Sequence, residues 1–306
     1  MTIFRSYVNL LGAMLFAAKC IVPIFGQQSC SMATLKDIAV RLKSVKNIQK
    51  ITASMKMVSA SKFARAERDL KSARPYGQGA RAFYKTAELI AEPIEPAVND
   101  LIIAITSDRG LCGAANSSVV KAIRTKIRNS TELEKTCKLV LVGDKSRAMM
   151  LRQYRDMFLM TVNEVGKKAP TFEDASMIAQ AIISTDYKFN KAIMFYNTFK
   201  TVVSYIPTMQ PLLSIEGLSS SQNVSIYDSV DDEVLQNYNE FLLTSLIFSA
   251  LKEATASEQS ARMTAMDSAT KNAGEMIDRL TLSFNRTRQA AITRELTEII
   301  SGAAAV

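Results

Sequence analysis

Residues 231–303 contain no proline and, before the tail, a single glycine, Gly274. A helix along this whole stretch would be about 110 Å long, at about 1.5 Å per residue. A compact protein of 306 residues is too small to bury a helix of that length, so the helix must coil with a partner or project. This stretch therefore predicts an elongated element at the C-terminal end of the chain.

The N-terminal part of the chain offers the partner helix. Residues 34–70 place apolar side chains mostly three or four positions apart, in the narrow stripe that is typical of coiled coils. Four apolar residues in the segment 46–62 are expected in the seam between the two helices. They are Ile48, Ile51, Met55 and Val58.

Local signals predict where this first helix begins and ends. Thr34 is followed three positions later by Asp37, which favours a capped helix start. Pro75 and Gly77 predict its end, because proline lacks the N–H that a helix needs and glycine is a weak helix former. A second, short helix is predicted over 79–90.

The charges of the two helices are complementary. Residues 36–74 hold eleven basic side chains against three acids, whereas residues 231–303 hold eleven acids against seven bases. Each exposed pair contributes only a few tenths of a kcal/mol, so the charges select a partner more than they stabilise it. The two ends of the chain are therefore predicted to form an antiparallel coiled coil.

The middle of the chain has a different pattern. Short apolar runs rich in β-branched residues alternate with helical segments, which predicts a small α/β domain with a mostly parallel sheet. The predicted strands are 101–106, 138–142 and 191–196, and the predicted helices are about 114–129, 144–156 and 172–184. A further strand is expected at 201–213, at the sheet edge, because it contains Pro207 and Pro211.

The predicted fold class is α/β, with a long antiparallel coiled coil of the N- and C-terminal helices and an inserted Rossmann-like α/β domain. The predicted segments are a transit peptide, a coiled-coil helix with a short helix after it, an α/β foot domain, a linker and a second coiled-coil helix. Their bounds are 1–32, 33–97, 98–214, 215–230 and 231–306.

The first 32 residues have the composition of a targeting segment. They contain Arg5 and Lys19, no acid, and a mixture of serine and apolar residues, which fits a mitochondrial transit peptide ending near Ala33. The alternative is a secretory signal, because LLGAMLFAA is an acceptable short apolar core. Lys19 interrupts the apolar run, which argues against a membrane span.

Composition excludes several kinds of chemistry. The chain has no histidine, so histidine triads, histidine acid–base chemistry and histidine metal sites are excluded. The phosphate-loop, dinucleotide and zinc-protease motifs are also absent from the sequence, and its four cysteines include no C-x-x-C pair. The net charge of +9 favours anionic partners: nucleic acid, a membrane surface or acidic protein loops.

Two segments invite a functional interpretation. The loop TSDRGLCGAANSS at 106–118 follows a predicted strand and opens a helix, so it is either a structural turn or a phosphate-binding turn. Its Cys112 lacks the histidine that would activate a thiol nucleophile. The C-terminal segment carries Arg286, Arg288, Gln289 and Arg294 before a tail of small residues. It is either a solvated helix end or a tip inserted into another protein.

Three segments of the chain closely resemble the gamma subunits of F-type ATP synthases, in their mitochondrial form. The segments are TLKDIAVRLKSVKNIQKITASMKMVSASKFARAERDL at 34–70, TSDRGLCGAAN at 106–116, and the last fifty residues, 257–306. The resemblance spans about residues 33–306 and keeps the order of helix, α/β domain and long helix.

The resemblance implies a function. Gamma subunits form a central stalk inside a ring of three alpha and three beta subunits, and their foot stands with the delta and epsilon subunits on the membrane c-ring. Rotation driven by protons moves the beta subunits through their nucleotide states. The resemblance implies a location on the matrix side of the mitochondrial inner membrane, no catalytic residue, no cofactor and no nucleic-acid partner.

The resemblance also implies roles for individual residues. Met55 and Lys56 match positions that face an acidic loop of beta, and Arg262 is expected across the coiled coil near them. The positions that match contacts with a beta-subunit loop are Arg286, Arg288 and Gln289. The tail from Thr293 to Val306 matches a tip held in an apolar bearing. Thiol switching is not expected, since Cys112 and Cys137 are the only thiols of the mature chain.

Two other functions compete with this one. A nucleic-acid-binding coiled coil could use the same basic helix, although that helix has few aromatic residues between its charges. An enzyme with a nucleotide site at 106–118 is the second alternative.

Overall fold

We describe the chain from a computed structural model. It describes residues 34–86, 99–129, 137–165, 168–185, 187, 189, 191–213 and 231–305. The predicted transit peptide and the predicted linker at 215–230 lie outside these ranges, as does the end of the predicted helix 79–90. The described residues fall into two compact units, one of residues 34–41 with 283–305 and one within 42–282.

Helix α1 spans Leu35–Thr86 and begins where the sequence predicts. The Thr34 hydroxyl accepts a hydrogen bond from the Asp37 backbone N–H at 3.3 Å, and the Thr34 N–H donates to the Asp37 carboxylate at 3.1 Å. These reciprocal bonds satisfy backbone donors that the first helical turn leaves free.

The predicted helix break at Pro75 is wrong, because α1 continues through it to Thr86. A proline inside a helix costs about 3 kcal/mol. Leu70 and Ala73 just before Pro75 are buried. Gly77 lies so close to the C-terminal helix that an added Cβ would be 2.3 Å from the Ser249 Oγ. Burial of this stretch of α1 offsets the local cost of the proline.

The last helix, α5, spans Asp232–Ala304 and has 73 residues. In the larger unit it pairs with α1 in antiparallel fashion, since residue numbers fall along α5 as they rise along α1. The paired side chains are Thr52 with Thr270 at 2.8 Å, Lys56 with Asp267 at 2.6 Å, and Asp69 with Lys252 at 3.2 Å. The predicted pairing of the N- and C-terminal helices is confirmed.

The predicted seam residues are wrong for three positions. Ile48, Ile51 and Val58 are 51%, 57% and 54% exposed, and Met55 is half-buried. The buried positions are instead Val45, Thr52 and Ser59, which are seven residues apart as a coiled-coil seam requires. Thr52 is tolerated there because its hydroxyl bonds Thr270 across the seam. The helix thus has a seam with small polar residues and a separate apolar stripe on its outer surface.

The middle of the chain forms one five-stranded sheet. The strands are β1 Asp100–Ile105, β2 Lys138–Val142, β3 Phe158–Val162, β4 Lys191–Thr201 and β5 Ser204–Leu213. Their order is β3-β2-β1-β4-β5, with all pairs parallel except the antiparallel β4–β5 hairpin. The predicted parallel sheet and its proline-bearing edge strand are confirmed. Strand β3 was not predicted; it is short and only half-buried.

The helices between the strands are α2 Ala115–Asn129, α3 Asp144–Tyr154 and α4 Phe172–Ile183, with a single 3₁₀ turn at Arg155–Met157. The two faces of the sheet have separate cores. Alternate residues of β1 pack against α2 and α3 on one face, and against α4 and the first part of α5 on the other. Of the helices that the structure describes, none combines the length and apolar character needed to cross a bilayer.

Candidate functional site: the hairpin clamp

One face of α5 is bonded to the backbone of the β4–β5 hairpin. Glu253, Ser257, Ser260 and Thr264 follow one another at helical spacings of four, three and four, so they share a face. We call these four residues, together with Arg74 of α1, the hairpin clamp. All five lie in the unit within 42–282.

Glu253 is the centre of the clamp. Its carboxylate accepts from the Phe199 backbone N–H at 2.8 Å and from the Arg74 Nε at 3.1 Å. The Arg74 guanidinium also donates to the Phe199 carbonyl at 3.2 Å. One buried carboxylate therefore joins α1, α5 and β4. Removing Glu253 would leave the buried Phe199 N–H without this acceptor.

Ser257 continues the contact one turn further along α5. Its hydroxyl donates to the Asn197 carbonyl at 3.1 Å, and the Asn197 side-chain amide donates to the Ala115 carbonyl at 2.8 Å. Both Ser257 and Asn197 are buried. These bonds link α5 through β4 to the start of α2.

The turn of the hairpin is held by the next two residues. The hydroxyls of Ser260 and Thr264 both donate to the Val202 carbonyl, the second at 3.4 Å. The clamp therefore follows β4 from Asn197 to the turn. A rotation of α5 about its own axis would break all of these bonds together.

Arg262 is a buried arginine on α5. It is only 8% exposed, and its guanidinium donates to the Gly110 carbonyl at 3.3 and 3.4 Å and to the Glu258 carboxylate. Burial raises the pKa of Glu258, and the charge of Arg262 opposes this rise. Arg262 thus binds the loop after β1.

Lys56 lies on the paired helices and is accessible. It bonds Asp267 at 2.6 Å, and Lys271 bonds the same carboxylate at 2.9 Å. The hydrogen bonds from Lys56 and Lys271 lower the pKa of Asp267 to about 2. Met55 beside Lys56 is half-buried.

The geometry of the loop at 106–116 favours a structural turn. The Asn116 side chain accepts from the Ser107 N–H at 3.0 Å and donates to the Ser107 hydroxyl at 2.8 Å and to the Cys112 sulfur at 3.2 Å. Leu111 and Gly113 have positive φ angles of 64° and 56°. The polar groups of these residues thus bond one another across a tight turn.

Neither described cysteine is placed for nucleophilic chemistry. Cys112 and Cys137 are both buried free thiols. Burial raises the pKa of Cys137 to about 11, which disfavours the reactive thiolate. Within the described ranges, no three histidine, cysteine or acidic side chains lie close enough together to hold a metal ion.

The predicted contact residues near the C-terminus are exposed on α5. They are Arg286, Arg288, Gln289 and Thr293. The apolar side chains of Ile292, Leu296, Ile299 and Ile300 are also about half or more exposed. This end of α5 therefore presents both charged and apolar groups in the isolated chain.

The hairpin clamp is not predicted by the sequence pattern. Its signal is a set of small polar and acidic residues at helical spacing inside an otherwise apolar stretch of α5. The spacing alone does not predict which groups these side chains bond, because the bonded groups are backbone atoms of residues 197–202.

Comparisons with known proteins agree with this architecture. The family model described as ATP synthase matches residues 34–306. The mitochondrial ATP synthase subunit gamma of Drosophila melanogaster is 56% identical over 284 residues, which cover 92% of this chain and 94% of that protein. The gamma subunit of the mitochondrial ATP synthase F(1) complex of Rattus norvegicus is 53% identical, covering 90% of this chain and 100% of that protein.

Solved structures have the same fold. A chain in the cryo-EM structure of the central stalk and c-ring of Tetrahymena thermophila mitochondrial ATP synthase has a TM-score of 0.61 and 27% identity, covering 72% of this chain and 99% of that one. A chain of the Euglena gracilis mitochondrial ATP synthase has a TM-score of 0.74 at 19% identity, covering 89% and 94%, and shows the fold alone. With the family match and the two close relatives, these findings establish that the chain belongs to the gamma-subunit family of ATP synthases.

Proposed function

We propose that this chain is the central-stalk rotor subunit of a mitochondrial F-type ATP synthase. It couples proton-driven rotation to the conformational cycling of catalytic beta subunits, and so to ATP synthesis from ADP and phosphate. The observation that carries the proposal is the hairpin clamp on α5. One continuous helix of 73 residues bears both the clamp at 253–264 and the exposed groups at 286–300.

Rotary coupling requires that the helix pair does not turn relative to the α/β domain. The clamp meets this need with bonds from Arg74, Glu253, Ser257, Ser260 and Thr264 to residues 197–202. A rotor also shifts the states of its neighbours only if its interaction energy differs between angular positions. A basic helix paired with an acidic one satisfies this condition, because the two sides of the pair carry unlike charges.

The partners of the chain follow from the same proposal. They are three alpha and three beta subunits, the delta and epsilon subunits and the membrane c-ring, on the matrix side of the inner membrane. The support is that close relatives bear the name of mitochondrial gamma subunits and that the similar Tetrahymena chain comes from a central stalk and c-ring. The transit peptide at 1–32 and the division into helix, foot, linker and helix belong to this proposal.

The chain is proposed to be a non-catalytic subunit of the complex, without a cofactor. The absence of histidine from the sequence supports this, as does the internally bonded loop at 106–116. The mechanical role needs no reactive group, because the chemistry of ATP takes place in the partner subunits.

The proposed rotor–stator contacts keep the predicted residues. Lys56, with Met55 beside it, lies on the paired helices. The exposed contact residues on the last part of α5 are Arg286, Arg288, Gln289 and Thr293. Arg262 is retained in the proposed set, and its bonds to Glu258 and Gly110 support an additional role in holding the loop after β1.

Affinity purification tests the function. A tagged form of the chain, expressed in mitochondria, is expected to co-purify with alpha and beta subunits in a ratio of one to three to three. A tagged matrix protein of another family serves as the control. Recovery of the chain without alpha and beta, or with DNA in a salt-dependent manner, would refute the rotor assignment.

A further inference from the structure

Two lysines from different helices share one carboxylate on the paired helices. The Lys56 Nζ of α1 lies 2.6 Å from the Asp267 Oδ1 of α5, and the Lys271 Nζ lies 2.9 Å from the Asp267 Oδ2. An ionised carboxylate accepts on both oxygens, so neither lysine has to leave for the other to bind. All three residues lie in the unit within 42–282. We call Lys56, Asp267 and Lys271 the shared-carboxylate cluster.

The shared-carboxylate cluster is accessible and carries an excess of one positive charge. The side chains of Lys56, Asp267 and Lys271 are 47%, 31% and 74% exposed. Residues 38–66 of α1 contain no acid, and among the described residues Lys56 forms an ion pair with Asp267 alone. Exposed ion pairs exchange partners easily, because water solvates the separated charges. The cluster therefore attracts an outside carboxylate and can bind it without unfolding.

The two ion pairs of the cluster differ in what holds them together. Lys271 follows Asp267 by four residues on the same helix, so α5 alone keeps this pair in contact. Lys56 reaches Asp267 from the other helix. If Lys56 turns to an outside carboxylate, Asp267 keeps its bond to Lys271. The departure of Lys56 therefore does not leave Asp267 without a cation.

We propose that Asp267 is a positioning residue for Lys56: it holds the Lys56 ammonium between partner contacts, and its second bond, to Lys271, lets Lys56 transfer to a carboxylate of a neighbouring subunit. This rests on the proposed function, because it takes Lys56 as a contact between rotor and stator. When the neighbour moves away, Lys56 returns to Asp267. The contact thus forms and breaks with every charge paired, which suits a surface that meets several subunits in turn.

Carbodiimide coupling tests the transfer, since it joins a lysine amine to a carboxylate in direct contact as an amide. The purified full chain and the assembled complex are treated alike, and the joined peptides are identified by mass spectrometry. In the isolated chain we expect Lys56–Asp267 and Lys271–Asp267 products. In the complex, the Lys56–Asp267 product should fall about two- to fivefold, with Lys56 joined instead to a partner carboxylate. An unchanged Lys56–Asp267 yield, or partner products at Lys271 in place of Lys56, would overturn the proposal.

Substitutions with opposite effects separate transfer from a purely structural role. Lys271→Gln leaves Lys56 as the single cation on Asp267, so the yield of Lys56 joined to a partner carboxylate should fall about two- to threefold. Asp267→Asn removes the competing carboxylate, so that yield should rise by a similar factor. Asp267→Glu should keep the yield of the unaltered chain. A role limited to stabilising the helix pair would lower the yield in both Lys271→Gln and Asp267→Asn, and that result would contradict the proposal.

Lys121→Gln is the matched control, because it removes an exposed lysine of α2 that lies outside the shared-carboxylate cluster. It should leave all of these yields unchanged, and an equal fall in Lys121→Gln and Lys271→Gln would indicate only a response to net charge and overturn the proposal. Thermal unfolding checks that each variant is folded. Failure of the unaltered chain to assemble with alpha and beta would refute the rotor function and the transfer with it. Assembly with an unchanged Lys56–Asp267 yield would overturn the transfer alone.

Discussion

The Glu253 carboxylate accepts a hydrogen bond from the Phe199 backbone N–H at 2.8 Å, across the contact between the long helix α5 and strand β4. The same carboxylate bonds Arg74 of α1 at 3.1 Å. A strand backbone is a rigid partner, because its other polar groups are held in the sheet. This bond therefore determines how α5 is rotated about its axis relative to the hairpin.

Removal of Glu253 should destabilise the larger unit. Glu253→Ala leaves the buried Phe199 N–H without an acceptor, so we expect a loss of about 2 kcal/mol in the free energy of unfolding. Glu253→Gln keeps an oxygen acceptor and should lose less. Urea unfolding of the full chain measures both.

Glu275→Ala is the matched control, because it removes an exposed acid from the same helix. It should change stability by no more than about 0.5 kcal/mol. If Glu253→Ala destabilises the chain no more than this control does, the Glu253 carboxylate does not stabilise the contact with the hairpin. In the assembled complex, Glu253→Ala should also lower the torque passed from foot to axle, measured by single-molecule rotation.

The close approach of α1 and α5 at Gly77 predicts a second effect. Gly77→Ala places a Cβ 2.3 Å from the Ser249 Oγ and 2.7 Å from its Cβ, so the helices must separate. We expect a destabilisation of about 1–3 kcal/mol, measured by thermal unfolding.

Gly79→Ala is the matched control, because an added Cβ there meets no atom within 4 Å. On the same helix it should stabilise the chain by about 0.5–1 kcal/mol. The test is that Gly77→Ala lowers the stability of the chain and Gly79→Ala raises it. A stabilising Gly77→Ala would mean that the helices are not in close contact at this point.

The Asp267 carboxylate predicts a pH dependence. Its pKa is lowered to about 2 by hydrogen bonds from Lys56 and Lys271, below the value in an unfolded chain. A lowered pKa contributes stability that is present above the unfolded value of about 3.9 and is lost as the pH falls towards 2. Asp267→Asn should therefore be less stable than the unaltered chain at pH 7, and the two should converge near pH 2.

Thermal unfolding from pH 7 to pH 2 measures this convergence. Asp278→Asn serves as the control, since Asp278 is exposed on α5 and makes no ion pair with a described residue. Its stability should follow that of the unaltered chain at every pH. A constant gap between Asp267→Asn and the unaltered chain down to pH 2 would exclude an electrostatic origin.

Loss of the Arg262 side chain should lower the stability of the chain, whereas loss of the Arg286 side chain should affect only rotation of the assembled complex. Arg262→Ala strands the buried Glu258 carboxylate and frees the Gly110 carbonyl, so we expect a loss of about 2–4 kcal/mol in the chain itself. Arg286→Ala removes an exposed side chain and should leave stability within about 0.5 kcal/mol. Its effect is expected only in the assembled complex, as reduced ATP-driven rotation.

Unfolding of the full chain and rotation assays of the complex together separate the two roles. Loss of stability in Arg286→Ala would argue against a pure contact with the stator. An unchanged stability in Arg262→Ala would argue that its bonds to the loop contribute nothing.

Single charge reversals on the basic outer face of α1 should have small effects. Lys50→Glu changes one exposed charge among many, and contacts of solvated lysines are weak and easily re-formed. We expect a modest change in rotation rate in the assembled complex. A complete loss of rotation, with assembly intact, would contradict the idea of distributed contacts.

The sequence by itself determined that both ends of the chain form long helices, that four strands between them belong to a mostly parallel sheet, and which family the chain belongs to. Long runs without proline, apolar periodicity and β-branched runs are local properties, and three segments resembled gamma subunits strongly enough to identify the family. The helix start at Thr34 was also predictable, because a capping box involves residues only three positions apart.

The tertiary structure decided which side each helix turns inward. Apolarity alone assigned Ile48, Ile51 and Val58 to the seam, but the fold buries Thr52 and Ser59 instead. The Thr52 hydroxyl is satisfied there because it accepts a hydrogen bond from Thr270 of α5. Packing against α5 likewise keeps α1 helical past Pro75. The hairpin clamp and the place of Arg262 depended on backbone carbonyls and N–H groups brought near by folding. Backbone groups are the same at every residue, so no sequence pattern distinguishes the ones that will be bonded.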